Sequence, residues 1–189
     1  QFQVDYLVNH RFPGGTVVTD KWKIQFARMG EPALNMATLD ALEAIPARYQ
    51  CSGQIIPSIS TIAPTGKEVF FDRLVDLKRS LYPDSFQFQF SIHTTDQELR
   101  STLIPARTWN FDTMADYGSR IHGGRGRKIT LNFSLIEGIP IDGNQLLHYF
   151  DPEVFLIKLT PLNPTFRSRK FGLKSAIETQ TEGLVEASK

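Results

Sequence analysis

The chain has 189 residues, of which 41% are hydrophobic and 22% charged, and its formal net charge is +1. This composition is typical of a globular domain, the length suits one domain or two small ones, and the small net charge predicts no overall affinity for nucleic acid. One cysteine, Cys51, excludes a disulfide framework and a self-contained cysteine cluster, and no run of about 18 apolar residues predicts a membrane span.

Segments with apolar residues at helical spacing alternate along the sequence with segments of strand-like composition. Apolar residues at helical spacing predict helices that contain Phe2–Val8, Leu39–Ala47, Val69–Leu81, Met114–Ile121 and Leu146–Phe150, and Asp96 and Asp142 are predicted helix caps. Branched and aromatic residues predict five strands, at Lys21–Arg28, Gln54–Thr61, Ser85–Ile92, Lys128–Ile136 and Val154–Leu162. Alternation at intervals of roughly 30 residues is typical of βα units around a parallel sheet. Because the first element is a helix at Gln1, we expect a preceding strand and a longer parent protein.

Each predicted strand runs into small or polar residues at its C-terminal end. These segments are Met29–Pro32, Ser58–Thr61, Ser91–Thr94, Ile136–Gly138 and Pro161–Pro164. The C-terminal ends of parallel strands lie at one edge of the sheet, which we term the rim, and ligands of parallel α/β folds bind there. The five segments therefore predict a ligand site at the rim.

Several of these residues have a structural and a functional interpretation. Gly30, Glu31 and Pro32 form either a helix entry or a turn that presents the Glu31 carboxylate to a ligand amine. Ser60 and Thr61 either cap the next helix near Thr65 or belong to the site. Asn163 is either a turn residue or a ligand residue. Cys51 is interpreted as a loop or helix-end thiol rather than a nucleophile.

The third strand alternates strictly between apolar and polar residues. Phe86, Phe88, Phe90 and Ile92 share one face, and Gln87, Gln89, Ser91 and His93 share the other. A polar face of this kind favours a polar cavity over an apolar barrel core.

Two basic segments differ in their position relative to the strands. His122–Lys128 precedes a strand, so it is predicted to be a solvated turn at the end of the sheet opposite the rim. Phe166–Lys170 follows the last strand and lies at the rim, where it either contacts a phosphate backbone or forms a solvated surface.

At the rim segments the sequence resembles the radical S-adenosylmethionine (SAM) enzymes, and most closely the RNA adenine methyltransferases of the RlmN/Cfr type. The matching segments are Ile24–Asn35, Ile59–Pro64, Phe90–Pro105, Ile129–Asp142 and Leu159–Pro164. The resemblance implies an α/β fold, a partial TIM-like (β/α)6 barrel whose parallel sheet lacks its first strand. The barrel would span residues 1–165, and a C-terminal extension with a short helix would span 166–189.

The resemblance also implies a cofactor site at the rim. Gly30 and Glu31 would hold the methionyl amino group of SAM, and Ser60 its carboxylate or ribose. Ser91, Ile92 and His93 would line the nucleoside. Asn163 would contact the ligand from the last strand. The resemblance assigns no catalytic residue to this chain.

The second implied cofactor is a [4Fe-4S] cluster, which in the family is held by a CxxxCxxC loop and reduces SAM to a 5′-deoxyadenosyl radical. This sequence contains no such loop, so it provides no metal ligands, and the isolated chain is expected to be inactive. The implied partners are RNA (rRNA or tRNA) and an external electron donor such as a flavodoxin. No membrane association is implied, and the expected location is the cytoplasm.

Two other functions stay open. The first is a radical SAM enzyme that acts on a peptide or a small molecule, with the cofactor at the same rim. The second is a non-catalytic, degenerate barrel that serves as a binding or scaffold module.

Overall fold

The computed structural model describes residues 2–27, 30–163 and 166–176. In chain order the elements are α1 (Phe2–Arg11), β1 (Thr16–Val17), β2 (Lys21–Phe26), a 3-10 helix (Pro32–Leu34), α2 (Ala37–Arg48), β3 (Gln50–Cys51), β4 (Gln54–Thr61), α3 (Glu68–Leu81), β5 (Gln87–Ser91), α4 (Gln97–Leu103), α5 (Phe111–His122), β6 (Ile129–Leu135), α6 (Gly143–Tyr149), β7 (Phe155–Pro161) and α7 (Phe166–Lys170).

The five predicted strands form one parallel sheet in the order β2-β4-β5-β6-β7. Each strand is thus hydrogen-bonded to the next predicted strand along the chain, and β2 and β7 are the two edges. Helices follow the strands as connections between parallel neighbours require. The α/β class and the parallel sheet are confirmed.

A second, two-stranded parallel sheet pairs β1 with β3 and was not predicted. Strands of two residues are too short to show an alternating pattern, so sequence periodicity does not reveal them. Cys51 belongs to β3, opposite Val17, and is half-buried. The interpretation of Cys51 as a loop or helix-end thiol is therefore wrong, because the backbone of Cys51 is part of a β-ladder.

The predicted helices and both predicted caps are present. The Asp96 side chain accepts hydrogen bonds from Glu98 N and Leu99 N at the start of α4. The Asp142 side chain accepts from Asn144 N and Gln145 N at the start of α6. Both caps satisfy amide groups that have no partner within the helix.

The apolar core lies between the helices and one face of the sheet. Phe88 and Phe90 of β5 are buried in it with Phe71 of α3, Met114 of α5 and Phe133 of β6. These side chains alternate along the strands with residues that point away from the helices. The core therefore covers only one face of the sheet, which we term the outer face.

The opposite, inner face of the sheet is polar. Partner residues of adjacent parallel strands project from the same face, so the register places the side chains of one such set together. Its polar members include Ser58, Ser60, Gln87, Gln89, Ser91, Thr130, Asn132 and Lys158, and the apolar Leu156 lies opposite Thr130. The predicted alternation of β5 is confirmed, since Gln87, Gln89 and Ser91 are half-buried between buried phenylalanines.

Charges on the two edge strands influence each other. Partial desolvation lowers the pKa of Lys23 on β2, and the positive charges of Lys158 on β7 and Arg127 lower it further. Five parallel strands with helices on the outer face agree with the open barrel of the predicted fold class.

The C-terminal part is described only in part. Helix α7 forms within the predicted extension, and Ile136 and Ser175 form an antiparallel bridge. The boundary between a barrel at residues 1–165 and an extension at 166–189 stays a prediction, and residues 177–189 lie outside the described residues. Within the described ranges, none of the helices combines the length and apolarity needed to cross a membrane.

Candidate functional site

Glu31 connects the C-terminal ends of β2 and β4. Its Oε1 accepts hydrogen bonds from Ala33 N (3.1 Å) and Thr61 Oγ1 (2.5 Å), and its Oε2 accepts from Ile62 N (2.9 Å). Glu31 also caps the 3-10 helix, whose first residue is Pro32. Gly30 precedes it with φ +102°, a backbone conformation that side chains with a Cβ rarely adopt. The helix-entry interpretation is confirmed, and the same turn fixes the carboxylate at the rim.

The capping interpretation of Ser60 and Thr61 is wrong. Helix α3 begins at Glu68 after Lys67, which makes no side-chain cap hydrogen bond. Thr61 Oγ1 instead donates to Glu31 and accepts from Ala63 N at 2.9 Å. Thr61 is therefore part of the turn that holds Glu31, a role that sequence reasoning did not assign to it.

Ser60 lies on the inner face in a small polar cluster with β5. Its Oγ is 3.3 Å from Ser91 Oγ and accepts a hydrogen bond from Gln89 Nε2 at 3.0 Å. The structure thus brings Ser60 and Ser91 together, two of the predicted site residues that are 31 positions apart. Gln89 was placed on the polar face but not in the site, and its register opposite Ser60 explains the contact.

The segment Ser91–His93 begins at the last residue of β5 and is hydrogen-bonded to β6. Ile92 N and His93 N both donate to the main-chain oxygen of Asn132, at 2.9 and 3.4 Å. The side chain of Ile92 is fully buried in the outer core. Of Ile92, only the backbone is therefore available to a ligand on the inner face.

His93 has an unusual backbone and an unpaired ring nitrogen. Its φ is +71°, and its Nδ1 is buried without a hydrogen-bond partner among the described residues. Burial lowers the pKa of His93, and the nearby positive charge of Arg100 lowers it further. The imidazole is therefore neutral near pH 7.

Arg100 of α4 is a buried cation behind the rim that sequence reasoning missed. It is 4% exposed, and burial lowers its pKa to about 10. Its guanidinium donates to Thr108 Oγ1, to Trp109 O (3.2 Å) and to Ile62 O (3.1 Å). No carboxylate pairs with it in the described ranges. Arg100 thus holds the same loop after β4 that Glu31 contacts.

Asn163 lies just after β7 and is exposed. Its main-chain oxygen accepts a hydrogen bond from Ser168 Oγ at 3.4 Å. Among the described residues no hydrogen bond connects the Asn163 side chain to the other predicted site residues, so its place in the site stays a prediction.

The two basic segments lie as their positions predicted. His122–Lys128 forms a turn before β6, where Arg125 pairs with Asp84 and Lys78 Nζ donates to the main-chain oxygens of His122 and Arg125. Arg169 and Lys170 of α7 are exposed after β7. The first segment is therefore a surface turn, and the second is the basic segment near the rim.

The residues of this chain do not fit an iron–sulfur cluster. The sequence has one cysteine, and Cys51 lies on β3, before β4 begins. In the described part of the chain, no group of three or more His, Cys, Asp and Glu side chains is arranged to hold a metal ion. A [4Fe-4S] cluster needs cysteine thiolates that this chain does not provide.

Comparison with known proteins supports the resemblance found in the sequence. No family model matches the chain. It is 28% identical over 151 residues to a "Probable dual-specificity RNA methyltransferase RlmN" of Mycolicibacterium vanbaalenii, a match that covers 75% of this chain and 40% of that protein. A protein of the same name from Corynebacterium diphtheriae is 27% identical over 150 residues, covering 75% of this chain and 39% of the relative. One from Streptomyces griseus is 34% identical over 79 residues, covering 40% of this chain and 22% of the relative.

One solved structure has the same fold. It is a radical SAM methyltransferase from Sphaerobacter thermophilus, with a TM-score of 0.54 and 20% sequence identity, and the match covers 87% of this chain and 46% of that one. The predicted partial barrel is thus confirmed. In sequence the chain is similar to proteins named RlmN RNA methyltransferases, and in fold it is similar to a radical SAM methyltransferase. The chain spans about two fifths of the length of the RlmN relatives cited first.

Proposed function

We propose that this chain is the SAM-binding part of a radical SAM enzyme, and that the whole protein methylates an adenine of rRNA or tRNA. The observation that supports this proposal most directly is the fixed Glu31 carboxylate at the rim, held by Thr61 and Ile62 at the end of the neighbouring strand. SAM supplies the methyl and adenosyl groups of the reaction when it is bound.

The Glu31 carboxylate suits the methionyl ammonium of SAM. Its three hydrogen bonds leave about one further acceptor position, on Oε2, since Oε1 already accepts two and a carboxylate has about four positions in all. A carboxylate that is already oriented loses little conformational entropy when an ammonium group binds. Glu31 would bind the amine while Thr61 and Ile62 N keep it in position.

The inner face suits the remaining polar groups of SAM. The hydroxyls of Ser60 and Ser91 are half-buried and can rotate between donor and acceptor roles. The unpaired Nδ1 of neutral His93 offers a further contact for the nucleoside. The cofactor would therefore be bound and oriented by Glu31, Ser60, Ser91 and His93. Among these side chains, only Glu31 would be charged.

The inner face also suits RNA. Lys23 and Lys158 place positive charge on it, and Arg169 and Lys170 add exposed positive charge after β7. Phosphate contacts by lysine and arginine dominate affinity for nucleic acids. An external electron donor such as a flavodoxin and a cytoplasmic location belong to the same proposal.

Calorimetric titration with S-adenosylhomocysteine tests the cofactor site without requiring the cluster. We expect the purified chain to bind this analogue and Glu31→Gln to bind it at least tenfold more weakly, because the amide cannot accept from both Thr61 and Ile62 N. Glu153→Gln is the matched control, since Glu153 is exposed just before β7, far from the rim. Absence of binding to the unaltered chain, or equal affinity in Glu31→Gln, would overturn the assignment.

The second candidate is a non-catalytic barrel that keeps the binding site. The two candidates differ in the iron content of the whole protein. A full-length protein that contains iron and cleaves SAM when reduced supports the enzyme, whereas a colourless, iron-free one supports the binding module. In both cases we expect the 189-residue chain alone to show no iron-dependent cleavage of SAM.

A further inference from the structure

Asn132 is a buried amide in the middle of β6 whose side-chain oxygen has no partner. The residue is 8% exposed, and its Oδ1 makes no hydrogen bond within the described ranges. Its register places it between Ser91 of β5 and Lys158 of β7, on the polar inner face. A buried carbonyl oxygen normally has a donor, so an unpaired one calls for a specific explanation.

The backbone of Asn132 is bonded to the segment proposed to line the nucleoside. Its main-chain oxygen accepts from both Ile92 N and His93 N. His93 Nδ1 is also buried and unpaired. Two neighbouring segments thus each hold one buried polar atom without a partner, and a ligand with several hydrogen-bonding groups could satisfy both.

The carboxamide of Asn132 restricts the chemical class of ligand that it can bind. Asn132 offers an acceptor, Oδ1, beside a donor, Nδ2, in one plane. The edge of adenine that carries the N6 amine and N7 has the complementary donor and acceptor, and asparagine pairs with it through two hydrogen bonds. Gln89, an amide of the adjacent strand on the same face, already donates to Ser60.

We infer that Asn132 reads an adenine base on the inner face, with Oδ1 accepting from the N6 amine and Nδ2 donating to N7. The inference rests on the proposed function, which supplies two sources of this base. One is the adenine of SAM, next to Ser91–His93, and the other is a target adenine of RNA. The recognition chemistry is the same for both.

Comparing adenosine with inosine separates recognition of the N6 amine from general affinity for a purine, because inosine has a carbonyl oxygen in place of that amine. Titrations would compare S-adenosylhomocysteine with S-inosylhomocysteine, and a short single-stranded RNA with its copy in which inosine replaces one adenosine. We expect the unaltered chain to prefer the adenine form of one pair by about 5- to 150-fold, the range given by one bidentate amide–base pair. Preference within the first pair identifies the cofactor as the source, and preference within the second identifies RNA.

Variants at Asn132 separate recognition from folding. Asn132→Leu should bind both members of the pair with equal affinity, and Asn132→Asp, which keeps only the acceptor, should retain part of the preference. Thr130→Val is the matched control, because Thr130 is buried two residues earlier on the same strand and face. It should keep the full preference.

The results separate failure of the Asn132 inference from failure of the proposed function. If the unaltered chain binds no S-adenosylhomocysteine, the proposed function fails. If it binds the analogue but discriminates in neither pair, or if Asn132→Leu discriminates as well as the unaltered chain, the role of Asn132 fails alone. The preference of the unaltered chain needs no variant, so the test does not depend on whether a variant folds.

Discussion

Glu31 and Arg100 both form hydrogen bonds with the backbone of the same residue, Ile62. The Glu31 carboxylate accepts from Ile62 N at 2.9 Å, and the Arg100 guanidinium donates to Ile62 O at 3.1 Å. The loop after β4 is thereby fixed between an anion at the rim and a cation in the interior. The position of the Glu31 carboxylate thus depends on a residue that lies behind the rim.

Replacing Arg100 by Met should lower stability and loosen the rim together. Ile62 O and Trp109 O would lose their donors, and we expect the free energy of unfolding to fall by about 2 kcal/mol, measured by urea denaturation. Arg107→Met is the control, because Arg107 is exposed on the following loop. Removing the positive charge should also raise the pKa of His93, which NMR titration reports, and an unchanged His93 pKa would contradict this electrostatic coupling.

The lowered pKa of His93 predicts a loss of stability in mild acid. The ordinary value is 6.5, and the folded value lies below it, so the unfolded chain binds more protons as the pH falls past 6.5. Stability is therefore complete above about pH 6.5 and decreases as the pH falls toward the folded pKa.

His93→Asn isolates this contribution, since asparagine tolerates positive φ but does not titrate. The free energy of unfolding is measured for the unaltered chain and for the variant between pH 7.5 and 5. The unaltered chain should lose more stability than the variant, so the two curves should converge or cross. Parallel curves would show that His93 has an unshifted pKa.

Gly30 permits the turn that presents Glu31, so Gly30→Ala should strain it. A Cβ at Gly30 meets nothing within 4 Å, and the cost comes from φ +102° alone. We expect a loss of about 1–2 kcal/mol in thermal or chemical unfolding. Gly143→Ala provides the comparison, because Gly143 also has open space around it and begins α6. A Gly30→Ala variant as stable as Gly143→Ala would show that the turn adapts without strain.

Lys158 on the inner face should contribute to RNA binding. Lys158→Gln should weaken binding of a single-stranded RNA several-fold and reduce the salt dependence of the affinity by about one unit of slope, as loss of one phosphate contact does. Fluorescence anisotropy across a series of salt concentrations measures both quantities. Arg11→Gln removes the same charge from the exposed end of α1 and should leave both unchanged. Equal effects of the two substitutions would indicate attraction by net charge only.

Local sequence patterns were sufficient to predict the sheet. Alternation along Ser85–Ile92 identified the buried and polar faces of β5, and the five strand ends placed Gly30, Ser60 and His93 near one edge. Both features depend on residues that are adjacent in sequence, so the local pattern of apolar and polar residues is enough to predict them.

The contacts that define the rim depend on pairs that are far apart in sequence. Thr61 is 30 residues from Glu31, and Ile62 is 38 residues from Arg100. A charged residue on a short helix is expected at the surface, and nothing near Arg100 in sequence signals that three oxygen atoms surround it. The unpaired oxygen of Asn132 likewise follows from strand register and not from its neighbours in the chain.

The contrast between the two faces of the sheet has a consequence for how such sequences diverge. The outer face, with Phe88, Phe90 and Phe133, provides the buried apolar area that keeps the chain folded, whereas the polar inner face contributes little to that area. The apolar area that stabilises the fold and the polar side chains proposed to bind ligands therefore lie on different faces of the same strands. Exposed positions of the inner face, such as Lys158, can diverge at small cost to folding.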